Sequence, residues 1–119
     1  MFRLMTFNVL AHNRDDHSKQ FSFLMDANGT WAASPAYDLT FSEGLNGEHT
    51  TTIDGEGRAP TDADMMRVAH KAGIKERDAA RIIDEVGTAV GKWTSFASKA
   101  GVTRKLTKQI SQRLRRSPP

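Results

Sequence analysis

The 119 residues contain no cysteine, which excludes disulfides and thiolate metal sites. No apolar run approaches the roughly 18 residues that a membrane-spanning helix needs. The opening Met1-Phe2-Arg3-Leu4-Met5 turns polar too soon for a secretory signal. These absences lead to the expectation of a cytoplasmic protein with no membrane partner. His12, His49 and His70 lack metal-ligand spacing and are expected on the surface or in loops. Apolar residues reach only 38%, enough for one small core, and charged residues make up 26%. Acidic residues are missing altogether from Thr103 onward, where Arg104, Lys105, Lys108, Arg113, Arg115 and Arg116 stand. The formal net charge is +3, so the rest of the chain carries about −3. Residues 103–119 therefore offer weak contact to nucleic acid or to an acidic surface. The plainer reading is a solvated helix end whose cations suit the helix dipole.

There is neither an internal repeat nor a low-complexity tract. Residues 1–11 hold Phe2, Leu4, Met5, Phe7, Val9 and Leu10, a set too dense for a clean stripe. They read as a buried helix, with a strand as the alternative, since short apolar runs are ambiguous. Residues 12–20 are wholly polar and lie between two apolar runs, the kind of loop that tends to carry chemistry. Phe21–Met25 and Thr30–Ala33 read as the strands of a hairpin around Asp26-Ala-Asn28-Gly29, with Asn28 and Gly29 suited to positive φ. Pro35 ends the second strand. Residues 40–60 form a long irregular stretch with four glycines and a short strand expected at 50–53. Helical patterning starts at Thr61, an N-cap before the acidic first turn Asp62-Ala-Asp64, and stops at Gly73. A longer helix is expected from Lys75 to about Ala100, burying Ala79, Ile82, Ile83, Val86, Val90, Trp93, Phe96 and Ala97. Gly87 and Gly91 weaken it, and Gly101 ends it. Thr103 caps a last helix expected to reach Arg116, before Ser117-Pro118-Pro119. Trp31 and Trp93 are expected in the core.

Asp15, Gln20 and Asp38 carry the chemistry. Phosphoryl transfer in protein kinases needs a loop Asp that accepts the substrate hydroxyl proton. It also needs an amide five residues later to hold magnesium, and a second Asp on the metal that bridges the phosphates. Such oxygen ligands match a hard cation. A hairpin between Gln20 and Asp38 brings residues distant in number to one site. Asp15 and Asp16 could also be a plain acidic turn, and Asp38 an Asx-turn residue.

The run Phe7-Asn-Val-Leu10 followed by Asn13-Arg-Asp-Asp-His-Ser-Lys-Gln20-Phe-Ser-Phe23 resembles the catalytic motif of HipA-type serine/threonine toxin kinases. Pro35-Ala-Tyr-Asp-Leu39 is similar to that family's metal-binding motif, and Gly55-Glu-Gly57-Arg58 is more loosely alike. The resemblance implies an α+β, mostly helical chain. It would be part of a kinase-like C-lobe, with a catalytic loop, a small β-hairpin and about three C-terminal helices. Residues 1–60 would hold the loop, hairpin and activation-segment-like region, and 61–119 the helical part. Asp15 is then the implied base, His17 a loop-orienting residue, and Lys19 a cation for the transferring phosphoryl group. Gln20 and Asp38 are the implied magnesium and ATP-phosphate ligands. Gln20 stands where the family often has Asn, with a stem one methylene longer.

A kinase also needs a glycine-rich phosphate loop, a strand lysine and a helix glutamate, and neither G-x-G-x-x-G nor G-x4-G-K-[ST] occurs here. Full-length members of the resembled family are several times longer, with the nucleotide-binding part before this motif. The expectation is therefore the C-terminal portion of a bacterial toxin kinase, with negligible activity unless an N-terminal lobe completes it. The implied partners are that lobe, a protein substrate and a DNA-binding antitoxin. An inert protein-docking module and a nucleic-acid contact through 103–119 are the alternatives.

Overall fold

The computed structural model describes residues 1–114. The elements run in the order α1 (Phe2–Leu10), β1 (Phe23–Met25), β2 (Trp31–Ala33), α2 (Asp62–Lys71), α3 (Glu76–Val90), α4 (Trp93–Lys99) and α5 (Arg104–Arg113). Short 3₁₀ turns occupy Ser18–Gln20 and Leu45–Gly47. The helix reading of residues 1–11 is thus the one realised. The expected helix end at Arg116, the cations Arg115 and Arg116, and the closing Ser117-Pro118-Pro119 lie outside the described residues.

The core lies where α1 and α2 pack on α3. Val9, Ile53, Met65 and Ile83 form its buried cluster, flanked by Phe2, Met5, Leu10, Met66 and Val68. Ile53 comes from the irregular stretch and is 1% exposed, so that stretch is part of the core. The short strand expected at 50–53 does not form. Instead, Ile53 makes a single bridge with Glu56. Asp54 of the same segment ties it to α2 by ion pairs to Arg67 (2.6 Å) and Lys71.

Helix ends follow local chemistry. Thr61 and Asp64 form a reciprocal capping box at the start of α2. Helices α2 and α4 end with Gly73 and Gly101 in the left-handed region, φ +69° and +72°. Helix α1 ends the same way on a residue with a side chain. His12, at φ +52°, donates its amide to Val9 O, and Asn13 donates to Asn8 O at 2.9 Å. That turn aims the chain into the polar loop.

Two expectations about helices are corrected. The helix expected over 75–100 is two helices, broken at Gly91-Lys92, so among the described residues four α-helices follow the hairpin rather than about three. Ala79, Ile83 and Val86 face the core from α3, whereas Ala97 and Trp93 pack toward α5, where the Trp93 indole donates to Thr107 O at 3.2 Å. Phe96, expected inside, is 54% exposed.

The hairpin pairs Phe23 with Ala33, Leu24 with Ala32 and Met25 with Trp31. Only Gly29 takes positive φ in its turn (+82°), and Asn28 does not. The Asp26 carboxylate accepts the Asn28 and Thr30 amides, which supplies the turn with the bonds a tighter two-residue loop would have made. Trp31, expected in the core, is 65% exposed. The radius of gyration is 15.2 Å, against about 13.5 Å for a compact domain of this length, so hairpin and terminal helices extend beyond the core.

Candidate functional site

Two polar segments meet at the base of the hairpin. Below β1 and β2 the pairing continues through Ser34 N to Ser22 O (3.0 Å) and between the Ser22 and Ser34 hydroxyls (2.8 Å). One step further, the Tyr37 hydroxyl donates to the Lys19 carbonyl at 2.7 Å, and Gln20 Nε2 donates to Asp38 Oδ2 at 2.6 Å. The hairpin thus acts as a ruler, bringing together two side chains 18 positions apart. Asp38 sits at φ +51°, a conformation that Asp tolerates better than most residues.

Asp15 is exposed, and its carboxylate lies 3.8 Å from His17 Nε2. Its neighbour Asp16 is the opposite case. Asp16 is 2% exposed, and its Oδ1 accepts the amides of Thr50 (2.9 Å) and Thr51 (3.1 Å). Its Oδ2 bonds His49 Nδ1 at 2.9 Å, and His49 is itself buried. So Asp16 does not belong to a solvated acidic turn, and His49 is not a surface residue. Asp16 lets the irregular stretch fold back over the loop, and the contact would follow from neither residue's local pattern.

Further bonds complete this wrap. Thr50 N donates to Arg14 O, Ser42 N to His12 O, and the Arg14 guanidinium to Arg58 O at 2.9 Å. His12 stacks on Phe41, with ring centroids 6.2 Å apart. Burial, reinforced by the Arg14 charge, holds the His12 imidazole below its ordinary pKa. Its Nδ1 is buried without a hydrogen-bond partner among the described residues.

Gln20 and Asp38 are oxygen donors of the kind magnesium takes. Nε2 faces Asp38 here, so a shared cation requires the Gln20 amide to turn its oxygen toward the carboxylate instead. Magnesium commonly rests on one or two protein ligands, with water and phosphate oxygens completing its shell, so the donor set suits the ion once that turn is made. Among the described residues no group of three or more His, Asp or Glu side chains gathers to hold a metal. A cation at Gln20 and Asp38 would therefore complete its shell with water or with the oxygens of a bound phosphate ligand. Beside Gln20 opens a mainly apolar cleft of about 450 Å³, walled by Leu4 and Phe7 of α1, Phe21, Tyr37 and Val86 of α3.

Among the described residues no helix is long and apolar enough to cross a membrane. No curated protein and no solved structure matches the chain. The family of HipA-like C-terminal domains does, over residues 1–114. With nearly its whole length matched, and with the paired motifs joined at the foot of the hairpin, the chain belongs to the HipA-like C-terminal domain family.

Proposed function

We propose that this domain is the catalytic-loop part of a protein serine/threonine kinase. It would transfer the γ-phosphoryl group of ATP to a protein hydroxyl once a nucleotide-binding lobe is joined to it. The observation that carries this reading is the 2.6 Å contact between Gln20 and Asp38. It unites the two motif ends that a kinase must bring to one cation.

In this reading Asp15, open to solvent and beside His17, accepts the proton of the substrate hydroxyl. His17 orients the loop. The exposed Lys19 ammonium meets charge on the transferring phosphoryl group. The Gln20 amide oxygen and the Asp38 carboxylate hold magnesium, which when bound neutralises phosphate charge. The uncovered apolar surface beside this site includes Phe23, Leu24, Met25, Trp31 and Leu39, all more than 40% exposed. Leu39 also lines the cleft at Gln20, and exposed apolar side chains of this kind are what a docking lobe would cover. A role as a growth-arresting toxin, a protein substrate and a DNA-binding antitoxin partner rest on the family resemblance.

The test is phosphotransfer from labelled ATP with magnesium, by the whole chain alone and mixed with a nucleotide-binding lobe. The chain alone is expected to show no turnover above an Asp15→Asn control. With the lobe, turnover is expected to fall about 100-fold or more in Asp15→Asn. Turnover unchanged in both Asp15→Asn and Asp38→Asn would sink the reading.

A further inference from the structure

From Val86 to the end the sequence has no acidic residue and eight basic ones, Lys92, Lys99, Arg104, Lys105, Lys108, Arg113, Arg115 and Arg116. The remaining residues therefore carry about −5. The charge boundary falls just before the break between α3 and α4, so it follows the architecture. Elsewhere, among the described residues, five of the nine cations, Arg3, Arg58, Arg67, Lys71 and Arg81, pair with a carboxylate. On the α4–α5 pair, among the described residues, only Arg113 has an acidic partner, Glu43 at 3.3 Å.

Between the two helices runs a groove of about 390 Å³, lined by Thr94 and Ser98 of α4, by Val102 of the turn, and by Arg104, Thr107, Lys108 and Ser111 of α5. Thr94 and Ser98 stand one turn apart, as do Arg104 and Lys108 on the other wall. The Thr107 and Ser111 hydroxyls donate back to their own helix, to Thr103 O and Thr107 O. Among the described residues Thr94 and Ser98 make no such bond, so two hydroxyls and two cations line one groove. The turn at Gly101 and the Trp93–Thr107 bond fix the two walls relative to each other.

We propose that the α4–α5 groove binds the sugar–phosphate backbone of nucleic acid, independently of base sequence. Arg, Lys and hydroxyl groups are the side chains that position phosphates. No aromatic side chain among the described residues lines the groove to stack bases, which directs recognition to the backbone. A bilayer surface fits less well, because α4 and α5 each expose a single large apolar side chain among the described residues, Phe96 and Leu106, whereas an interfacial helix needs a broad apolar face. This surface is separate from Gln20 and Asp38, and the proposal stands or falls without the kinase reading.

The experiment is fluorescence anisotropy of a labelled duplex of about 20 bp with the whole chain, over a salt series starting near about 50 mM. The variants are Arg104→Ala/Lys108→Ala and, with the same charge removed from another surface, Lys75→Ala/Arg77→Ala. The expected result is salt-dependent binding by the wild type. The groove variant should lose about tenfold or more in affinity, and its log–log salt slope should flatten by about 2. The control variant should lose less than about threefold. No binding by the wild type, or equal losses in the two variants, would overturn the proposal. So would competition by polyglutamate or phosphatidylserine vesicles as effective as that by unlabelled duplex, which would make the groove a general anion surface.

Discussion

Replacing His49 by alanine tests the wrap over the loop at its most buried point. The Asp16 and His49 side chains are 3% and 2% exposed. Removing the imidazole leaves Asp16 Oδ2 without its donor, while Oδ1 keeps the amides of Thr50 and Thr51. Breaking a buried pair from one side costs about 3–5 kcal/mol. The two surviving amide bonds place His49→Ala near the lower end, at about 3 kcal/mol. That is a large share of the roughly 5–15 kcal/mol that stabilises a small domain. Asp16→Asn is a milder change. It keeps an acceptor for both amides and turns an NH2 group toward the imidazole, so about 1 kcal/mol is expected. Urea unfolding followed by circular dichroism measures both. With a slope of about 1–3 kcal/mol per molar, His49→Ala should lower the midpoint by at least about 1 M. A His49→Ala stability within about 0.5 kcal/mol of wild type, the range of an ordinary surface change, would refute the buried pair. An order of severity with Asp16→Asn the worse would refute the assignment of donors.

Gly44→Ala should cost more than about 2 kcal/mol, since φ is +69° and the new Cβ would sit 2.1 Å from Glu48 O and 2.7 Å from Arg14 Cβ; a wild-type urea midpoint would contradict this packing. Thr61→Ala removes the capping box of α2 and should cost about 1 kcal/mol, read as faster amide exchange in the first turn of that helix. His12 has a lowered folded pKa from burial and the nearby Arg14 charge, so folding favours the neutral ring. Its contribution is complete above the unfolded value of about 6.5 and is lost as pH falls from there through the folded value. Stability measured from about pH 7.5 to 5 should drop less in His12→Asn, which also tolerates the positive φ; parallel profiles would count against the burial of that ring.

What could be read in the sequence was local. The cap at Thr61, the stops at Gly73 and Gly101 and the hairpin around Asp26–Gly29 all rest on bonds between near neighbours, and all are present. The meeting of Gln20 with Asp38 was legible because a hairpin converts sequence distance into spatial distance by counting. The break at Gly91-Lys92 was not, because the apolar spacing of Val90, Trp93, Phe96 and Ala97 runs through it as if one face continued. Trp93 instead bonds Thr107 of α5 and Phe96 is left exposed, and spacing alone does not say which partner an apolar residue will meet. The role of Asp16 and His49 was hidden for a different reason. They are 33 positions apart, joined by an irregular stretch whose path is set by tertiary bonds. Thr50 and Thr51, which suggested a strand, spend their amides on the Asp16 carboxylate instead.

The hairpin carries a liability. Phe23, Met25, Trp31 and Ala33 lie on one face and Leu24 and Ala32 on the other, and all six are exposed. With only two strands, each outer rim presents unpaired backbone groups, and neither rim is guarded by a lysine or a proline. Ribbons of this composition can template the addition of further strands, so while it stays uncovered the hairpin is the expected site of self-association at high concentration.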